Sequence, residues 1–181
     1  MNYCNIKFCD IADGVGVRTT LFVSGCRRHC KGCFQPETWN FSYGEPFCDD
    51  TLSKILESLE PYYVTGLTLL GGEPFEPEST GEVCRICTAV KERFPQKSIW
   101  AFSGFTFEEL LNRAEMEPSL KEILQKIDVL VDGPFVQDLH DITLRFKGSK
   151  NQRIIDVAAS MSDGTVHLWS DDPQYATHDM V

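Results

Sequence analysis

The sequence of 181 residues lacks three features that would place it in common functional classes. Its first fourteen residues, MNYCNIKFCDIADG, contain no basic segment followed by an apolar run, so we do not expect an export signal. The longest apolar runs, such as LTLL and VLV, are too short to span a membrane. A net charge of −10 argues against nucleic acid as a partner, because proteins that bind a duplex are usually basic.

The sequence does contain eight cysteines. Without an export signal they indicate a reducing, cytoplasmic compartment, where clustered thiols serve metal or redox chemistry more often than disulfides. Three of them, Cys26, Cys30 and Cys33, have the spacing C-x3-C-x2-C within VSGCRRHCKGCF. The other five carry no assigned role: Cys4, Cys9, Cys48, Cys84 and Cys87.

The chain alternates between short apolar segments and segments with helical periodicity. VRTTLFV (17–23), GLTLL (66–70), SIWAF (98–102) and DVLV (128–131) predict four buried strands. A helix capped by Asp50 or Thr51 is predicted, and further helices are predicted around Val83–Phe94 and around Leu120–Ile127. This order predicts an α/β fold with a mostly parallel sheet, open or curled toward a barrel. TLRFKG and QRIIDV are candidates for further short strands, and the last twenty residues are expected to be partly disordered.

Each of the four predicted strands ends in a distinctive loop. These loops are the cysteine loop and the tracts Gly71-Gly72-Glu73-Pro74, Ser103-Gly104-Phe105 and Asp132-Gly133-Pro134. Since the carboxyl ends of parallel strands lie at one edge of the sheet, the four loops should converge on one ligand site.

The three clustered cysteines leave two kinds of metal site open. A structural zinc ion needs four ligands, and a C-x2-C pair at Cys84 and Cys87 would complete a site with Cys30 and Cys33. However, Cys87 lies on the apolar face of its predicted helix, where a thiol behaves as a small hydrophobe. A [4Fe-4S] cluster fits better, because three local thiolates would leave one iron open to an outside ligand. The cations of this loop either offset an anionic cluster or are simply solvated: Arg27, Arg28, His29 and Lys31.

The C-x3-C-x2-C spacing followed by Phe34 resembles the cluster motif of the radical S-adenosylmethionine (SAM) enzymes. In that family the open iron is chelated by the amino and carboxylate groups of SAM, and reduction cleaves SAM to methionine and a 5′-deoxyadenosyl radical. The resemblance implies that Cys26, Cys30 and Cys33 ligate the cluster. GGEP resembles the second motif of the family, which implies SAM contacts at Gly71, Gly72 and Glu73. Contacts with SAM are also expected at Gly32 and Phe34, which flank the last ligand, and contacts with SAM or with a bound cation at Ser103 and Asp132.

DGVGVRTTLFVSGC resembles the opening of the glycyl-radical-enzyme activases. WAFSGFTFEEL, VDGPFVQDL and RFKGSKNQRIIDV are similar to activases of anaerobic ribonucleoside-triphosphate reductases, so that the resemblance covers about residues 1–157. It implies an incomplete (βα) barrel domain over residues 1–157, open so that the reductase can dock, and a tail over residues 158–181. It also implies a glycyl radical formed on the reductase, a flavodoxin or ferredoxin as electron donor, and a partner-facing surface at Gly148–Arg153.

The sequence departs from the pattern of these activases at four positions: Val15 replaces a usual Pro, Leu70 a Ser, Ser103 a Thr and Phe105 a Tyr. Several alternatives therefore stay open. They are an activase of another glycyl radical enzyme, a radical SAM enzyme that acts on a small molecule, a non-catalytic zinc-binding module, and a ferredoxin-like electron carrier. The role of Arg18 is also open.

Overall fold

The computed structural model describes residues 1–170, which form a mixed α/β fold around a seven-stranded sheet. The strands are β1 (Asn2–Asp10), β2 (Val17–Val23), β3 (Glu45–Pro46), β4 (Val64–Gly71), β5 (Ser98–Phe102), β6 (Val129–Asp132) and β7 (Arg153–Asp156). The helices are α1 (Asp49–Ser58), α2 (Pro77–Arg93), α3 (Phe107–Ala114), α4 (Pro118–Leu124) and α5 (Val157–Asp163). Two short 3-10 turns lie at Pro36–Trp39 and Gln137–Leu139.

The centre of the sheet is parallel and its edges are antiparallel. The strand order is β3-β1-β2-β4-β5-β6-β7, in which β2, β4, β5 and β6 pair in parallel. β1, β3 and β7 pair antiparallel at the two edges. The four strands predicted from the sequence are therefore confirmed, and so is their parallel order. Within residues 1–170 the two edge strands do not pair with each other, so the sheet is open.

The two faces of the sheet are covered differently. Leu21, Leu69 and Ala101 point into the core that the helices cover, where the predicted apolar positions of α2 and α4 are also buried. On the same strands, Leu70 and Trp100 lie on the opposite face, because successive strand residues alternate between faces. None of the helices within residues 1–170 is long and apolar enough to cross a membrane.

Three local features differ from the sequence prediction. The cap position predicted for α1 is wrong, because this helix begins at Asp49 and Cys48 is its N-cap. β1 was not anticipated, because most of its side chains are exposed or half-buried and form no apolar run. QRIIDV does contain a strand, β7, whereas TLRFKG forms turns. The carboxylate of Asp141 accepts the amide and hydroxyl of Thr143 there, which favours a turn over an extended strand.

The chain continues with regular structure past the expected boundary at Val157. α5 begins there, and the carboxylate of Asp156 caps it by accepting the Ala159 amide at 2.9 Å. Trp169 then packs against Trp100 with ring centroids 5.1 Å apart. The remainder of the predicted tail, residues 171–181, lies outside the described residues.

Candidate functional site

A cavity of about 680 Å³ lies at the carboxyl ends of β2, β4, β5 and β6. Leu70 and Phe102 line it, whereas their neighbours Leu69 and Ala101 belong to the core beneath the helices. The cavity is therefore on the face of the sheet opposite that core. All four strand-end loops contribute to it, as their parallel order predicts. The predicted site residues that line it are Cys26, Cys30, Gly32, Cys33, Phe34, Gly71, Gly72, Glu73 and Ser103.

The cysteine loop follows β2 directly and folds back onto the turn Pro36–Trp39. The backbone amides of Gly25 and Cys26 donate to carbonyl oxygens of that turn at 2.7 and 3.2 Å. The Cys33 amide donates to the Cys30 carbonyl at 3.1 Å and closes the second half of the loop. Cys26 is buried and the other two cysteines are half-buried. These bonds hold three thiols, which are at most seven positions apart in the sequence, at the lining of the cavity.

The first of the three thiols is poorly ionised in the absence of metal. Burial raises the pKa of Cys26 to about 11, and the backbone amides of Arg28 and His29 oppose this rise. Thiolate is the form that ligates metals, so metal binding must displace this proton.

Two of the four cations of the cysteine loop, Arg27 and Arg28, form ion pairs. Arg27 pairs with Glu76 at 2.6 Å and also with Glu78, at the start of α2. Arg28 pairs with Glu109, in the first turn of α3, at 3.1 Å. These pairs attach the loop to the helices that follow β4 and β5.

The GGEP loop is joined to the cysteine loop through the backbone. The amides of Gly72 and Glu73 donate to the carbonyls of Val23 and Gly25 at 2.8 and 2.9 Å. Gly71 has a φ of +113°, and a Cβ there would lie 2.6 Å from the Val23 carbonyl oxygen. A Cβ at Gly72 would lie 2.5 Å from the Gly25 carbonyl oxygen. Only glycine allows this close approach of the two loops.

The side chain of Glu73 connects the GGEP loop to the loop after β5. Its carboxylate accepts the Ser103 hydroxyl at 3.0 Å, the Gly104 amide at 2.8 Å and the Phe75 amide at 3.1 Å. Burial raises the pKa of Glu73 to about 7, and these three donors oppose the rise. Two predicted site residues, Glu73 and Ser103, are thus in direct contact.

Asp132 lies apart from the other predicted site residues. Its carboxylate is fully buried, accepts the Phe107 amide at 2.7 Å and pairs with Arg153. It therefore anchors the start of α3 to β7 and does not line the cavity, although the next residue, Gly133, does.

One wall of the cavity comes from the residues that precede β2 in the chain, and it was not predicted from the sequence. Asp13 lines the cavity, and burial together with the neighbouring Asp10 carboxylate raises its pKa to about 7. Thr68 donates to the Asp13 carbonyl at 2.8 Å, and Arg18 donates to the Val15 carbonyl at 3.2 Å. Arg18 therefore braces the loop that carries Asp13. The DGVG tract, which contains Asp13, was the feature of the sequence that could have indicated this wall.

The segment after β6 forms the remaining wall. Gln152 accepts the Gly148 amide at 2.8 Å and donates to the Gly133 carbonyl at 3.1 Å, which folds the GSKNQR tract over the cavity. This segment has neither helical nor strand periodicity, so its position at the cavity could not be predicted from the sequence. Its lining residues are Gly133, Phe135, Gln137, His140, Leu144, Phe146, Lys147, Gly148 and Gln152.

The four-cysteine zinc site considered above is not formed. Cys84 and Cys87 are buried in the core beneath the helices, where burial raises the pKa of Cys87 to about 12, and neither thiol lines the cavity. Across residues 1–170, no group of three or more His, Cys, Asp or Glu residues is gathered to hold one metal ion. A multi-iron cluster has no such requirement, because each thiolate ligates a different iron.

Comparisons with known proteins agree with this arrangement. Residues 12–155 match the family model of the 4Fe-4S single cluster domain. Three relatives bear the name anaerobic ribonucleoside-triphosphate reductase-activating protein. That of Enterobacteria phage T4 is 38% identical over 154 residues, which covers 85% of this chain and 93% of the relative. The relative from Vibrio cholerae is 39% identical over 156 residues, which covers 85% of this chain and 97% of the relative. The relative from Escherichia coli (strain K12) is 38% identical over 154 residues, which covers 84% of this chain and 96% of the relative. No solved structure matches the chain.

Proposed function

The chain belongs to the family of anaerobic ribonucleoside-triphosphate reductase-activating proteins, and from this premise we propose that it forms a glycyl radical on such a reductase by reductive cleavage of SAM at a [4Fe-4S] cluster. The observation that carries the proposal is the meeting of the cysteine loop and the GGEP loop at one cavity through two backbone hydrogen bonds.

The residues present fit the cluster. Cys26, Cys30 and Cys33 lie along one wall of the cavity and would ligate three irons. When bound, the cluster and SAM together supply the one-electron chemistry that removes a hydrogen atom from a glycine of the partner. The protein contributes ligation, orientation and the exclusion of water.

The SAM contacts fall to the loops beside the cysteines. Gly71 and Gly72 have no side chain to cover the backbone at the cavity lining. Main-chain groups there can therefore contact the methionyl end of SAM directly. Glu73 and Ser103 orient one loop against the other through their 3.0 Å hydrogen bond. Gly32 and Phe34 lie at the rim, where Phe34 is 97% exposed and free to meet a ligand or a partner.

The reductase would approach the open side of the cavity. An open sheet that curls as an incomplete barrel would leave this side accessible, and Gly148–Arg153 would form part of the contact surface. A flavodoxin or ferredoxin would supply the electron. A cytoplasmic location is supported by the eight cysteines, none of which forms a disulfide.

The test compares two cysteine variants after anaerobic reconstitution with iron and sulfide. Cys30→Ala should lose the four-iron absorption and should form no glycyl radical on the reductase, measured by electron paramagnetic resonance (EPR). Cys48→Ala changes an exposed thiol outside the cavity and should retain both.

Radical formation by Cys30→Ala at the wild-type level would contradict the assignment of Cys30 as a cluster ligand. SAM cleavage by the wild-type protein without a radical on the reductase would instead favour another glycyl radical enzyme or a small-molecule substrate.

A further inference from the structure

The cysteine loop contains buried polar atoms that have no partner. Within residues 1–170, the buried side-chain nitrogen and oxygen atoms without a hydrogen bond are Ser24 Oγ, Arg28 Nε, Trp39 Nε1 and Arg113 Nη1. Two of the four, Arg28 Nε and Trp39 Nε1, belong to residues of the loop and its supporting turn that also line the cavity. Buried donors are nearly always satisfied in folded proteins, so this concentration calls for an acceptor at the loop.

Trp39 is held beside the first cysteine. Its carbonyl accepts the Cys26 amide at 3.2 Å, and its ring stacks on that of His29 with centroids 4.5 Å apart. Trp39 is also one of the residues that line the cavity. An indole N–H can only donate, so its partner must be an acceptor.

Arg28 lines the same cavity with a second unused donor. Its guanidinium lies 4.1 Å above the ring of Phe105 and donates to Glu109 through Nη2 at 3.1 Å. These contacts fix the side chain while the Nε–H has no acceptor. Ser24 and Arg113 do not line the cavity.

We propose that the indole N–H of Trp39, assisted by the Nε–H of Arg28, donates a hydrogen bond to a sulfur of the cluster or of its cysteine ligands and thereby raises the reduction potential of the cluster. The proposal rests on the proposed function, since it requires the cluster to occupy this cavity. Reduction adds one electron, supplied by an electrode or by dithionite, to an already anionic group. A hydrogen bond to sulfur stabilises the more negative, reduced state more than the oxidised one, so it favours reduction.

The first experiment measures the midpoint potential of the reconstituted cluster in the absence of SAM and reductase. Trp39→Phe keeps an aromatic ring against His29 and removes the N–H. We expect the ratio of reduced to oxidised cluster at a fixed potential to fall about tenfold, which for one electron corresponds to a midpoint about 59 mV lower. Trp169→Phe is the matched control, because Trp169 packs against Trp100 outside the cavity, and it should leave the midpoint unchanged.

The second experiment identifies the donor directly. Wild-type protein that carries indole-¹⁵N tryptophan is reduced and examined by pulsed EPR. A ¹⁵N hyperfine coupling that is present in the wild type and in Trp169→Phe but lost in Trp39→Phe would support the proposal.

An unchanged midpoint in Trp39→Phe would overturn the proposal, and so would the absence of indole coupling in the wild type. If Trp39→Phe assembles no cluster, Trp100→Phe replaces it in the comparison: a coupling that survives in both Trp169→Phe and Trp100→Phe comes from Trp39, the third of the three tryptophans, and a coupling lost in Trp100→Phe overturns the proposal. Failure of the wild-type protein to assemble any four-iron cluster would be a different result, because it would remove the proposed function itself.

Discussion

Replacing Gly72 by alanine should destabilise the chain and weaken the proposed binding of SAM, because Gly72 lies where the GGEP loop closely approaches the cysteine loop. The added Cβ would lie 2.5 Å from the carbonyl oxygen of Gly25, and real Cβ atoms essentially never approach within 3.0 Å. That oxygen also accepts the Glu73 amide at 2.9 Å, so it cannot withdraw without straining this bond. Overpacking of this kind costs about 1–3 kcal/mol, and we expect the free energy of unfolding to fall by about 2 kcal/mol.

The assay is urea unfolding of the cluster-free chain, followed by SAM affinity of the reconstituted protein. Gly81→Ala is the matched control, because Gly81 lies within α2 and an added Cβ meets nothing within 4 Å. Alanine is the better helix former, so this control should gain about 0.5–1 kcal/mol. Wild-type stability together with wild-type SAM affinity in Gly72→Ala would refute the idea that close approach of the two loops builds the site.

Two further predictions concern buried ionisable groups. Arg18→Met should lower the free energy of unfolding by about 3 kcal/mol, because Arg18 donates to the carbonyls of Leu67 and Ser98 at 2.7 and 3.0 Å and the substitution removes these buried bonds. Arg93→Met, which breaks an exposed ion pair with Glu60 and a cation–π contact with Phe94, should cost less than about 1 kcal/mol, and equal losses in urea unfolding would contradict this reasoning. Glu73 has a pKa raised from 4.5 to about 7, so its stabilising contribution is fully present below pH 4.5 and is lost as the pH rises through 7. The free energy of unfolding should change by about 3 kcal/mol through this titration. Glu73→Gln should lack this change in its pH profile of stability between pH 5 and 7. An identical profile in the variant would show that the carboxyl group does not titrate in this range.

The central strands were readable from sequence because they are buried on both faces. VRTTLFV and SIWAF are nearly continuous apolar or β-branched runs, and both form strands with the predicted bounds, β2 and β5. β1 was missed because it is only partly buried and its sequence, NYCNIKFCD, carries no such signal. TLRFKG has strand-like composition, yet the bonds from Thr143, its first residue, to the carboxylate of the preceding Asp141 favour a turn.

The placement of Asp132 shows a limit of strand-end arguments. The sequence places this residue at the correct end of β6, but its carboxylate is taken by Arg153 and by the start of α3. Both partners are more than twenty residues away along the chain, so no local pattern reveals them.

By itself the sequence determined the donor chemistry of the site. The C-x3-C-x2-C spacing of the three thiols and the two adjacent glycines are set by the covalent chain. The loops that carry them follow strands whose apolar and β-branched composition predicts their burial. Only the tertiary structure decided which groups meet those loops: Asp13, Trp39 and the wall after β6 reach the cavity. The physical reason is that ligand identity and spacing are local properties of the chain. Burial, pairing and unused hydrogen-bonding capacity instead depend on segments that approach one another only when the sheet assembles.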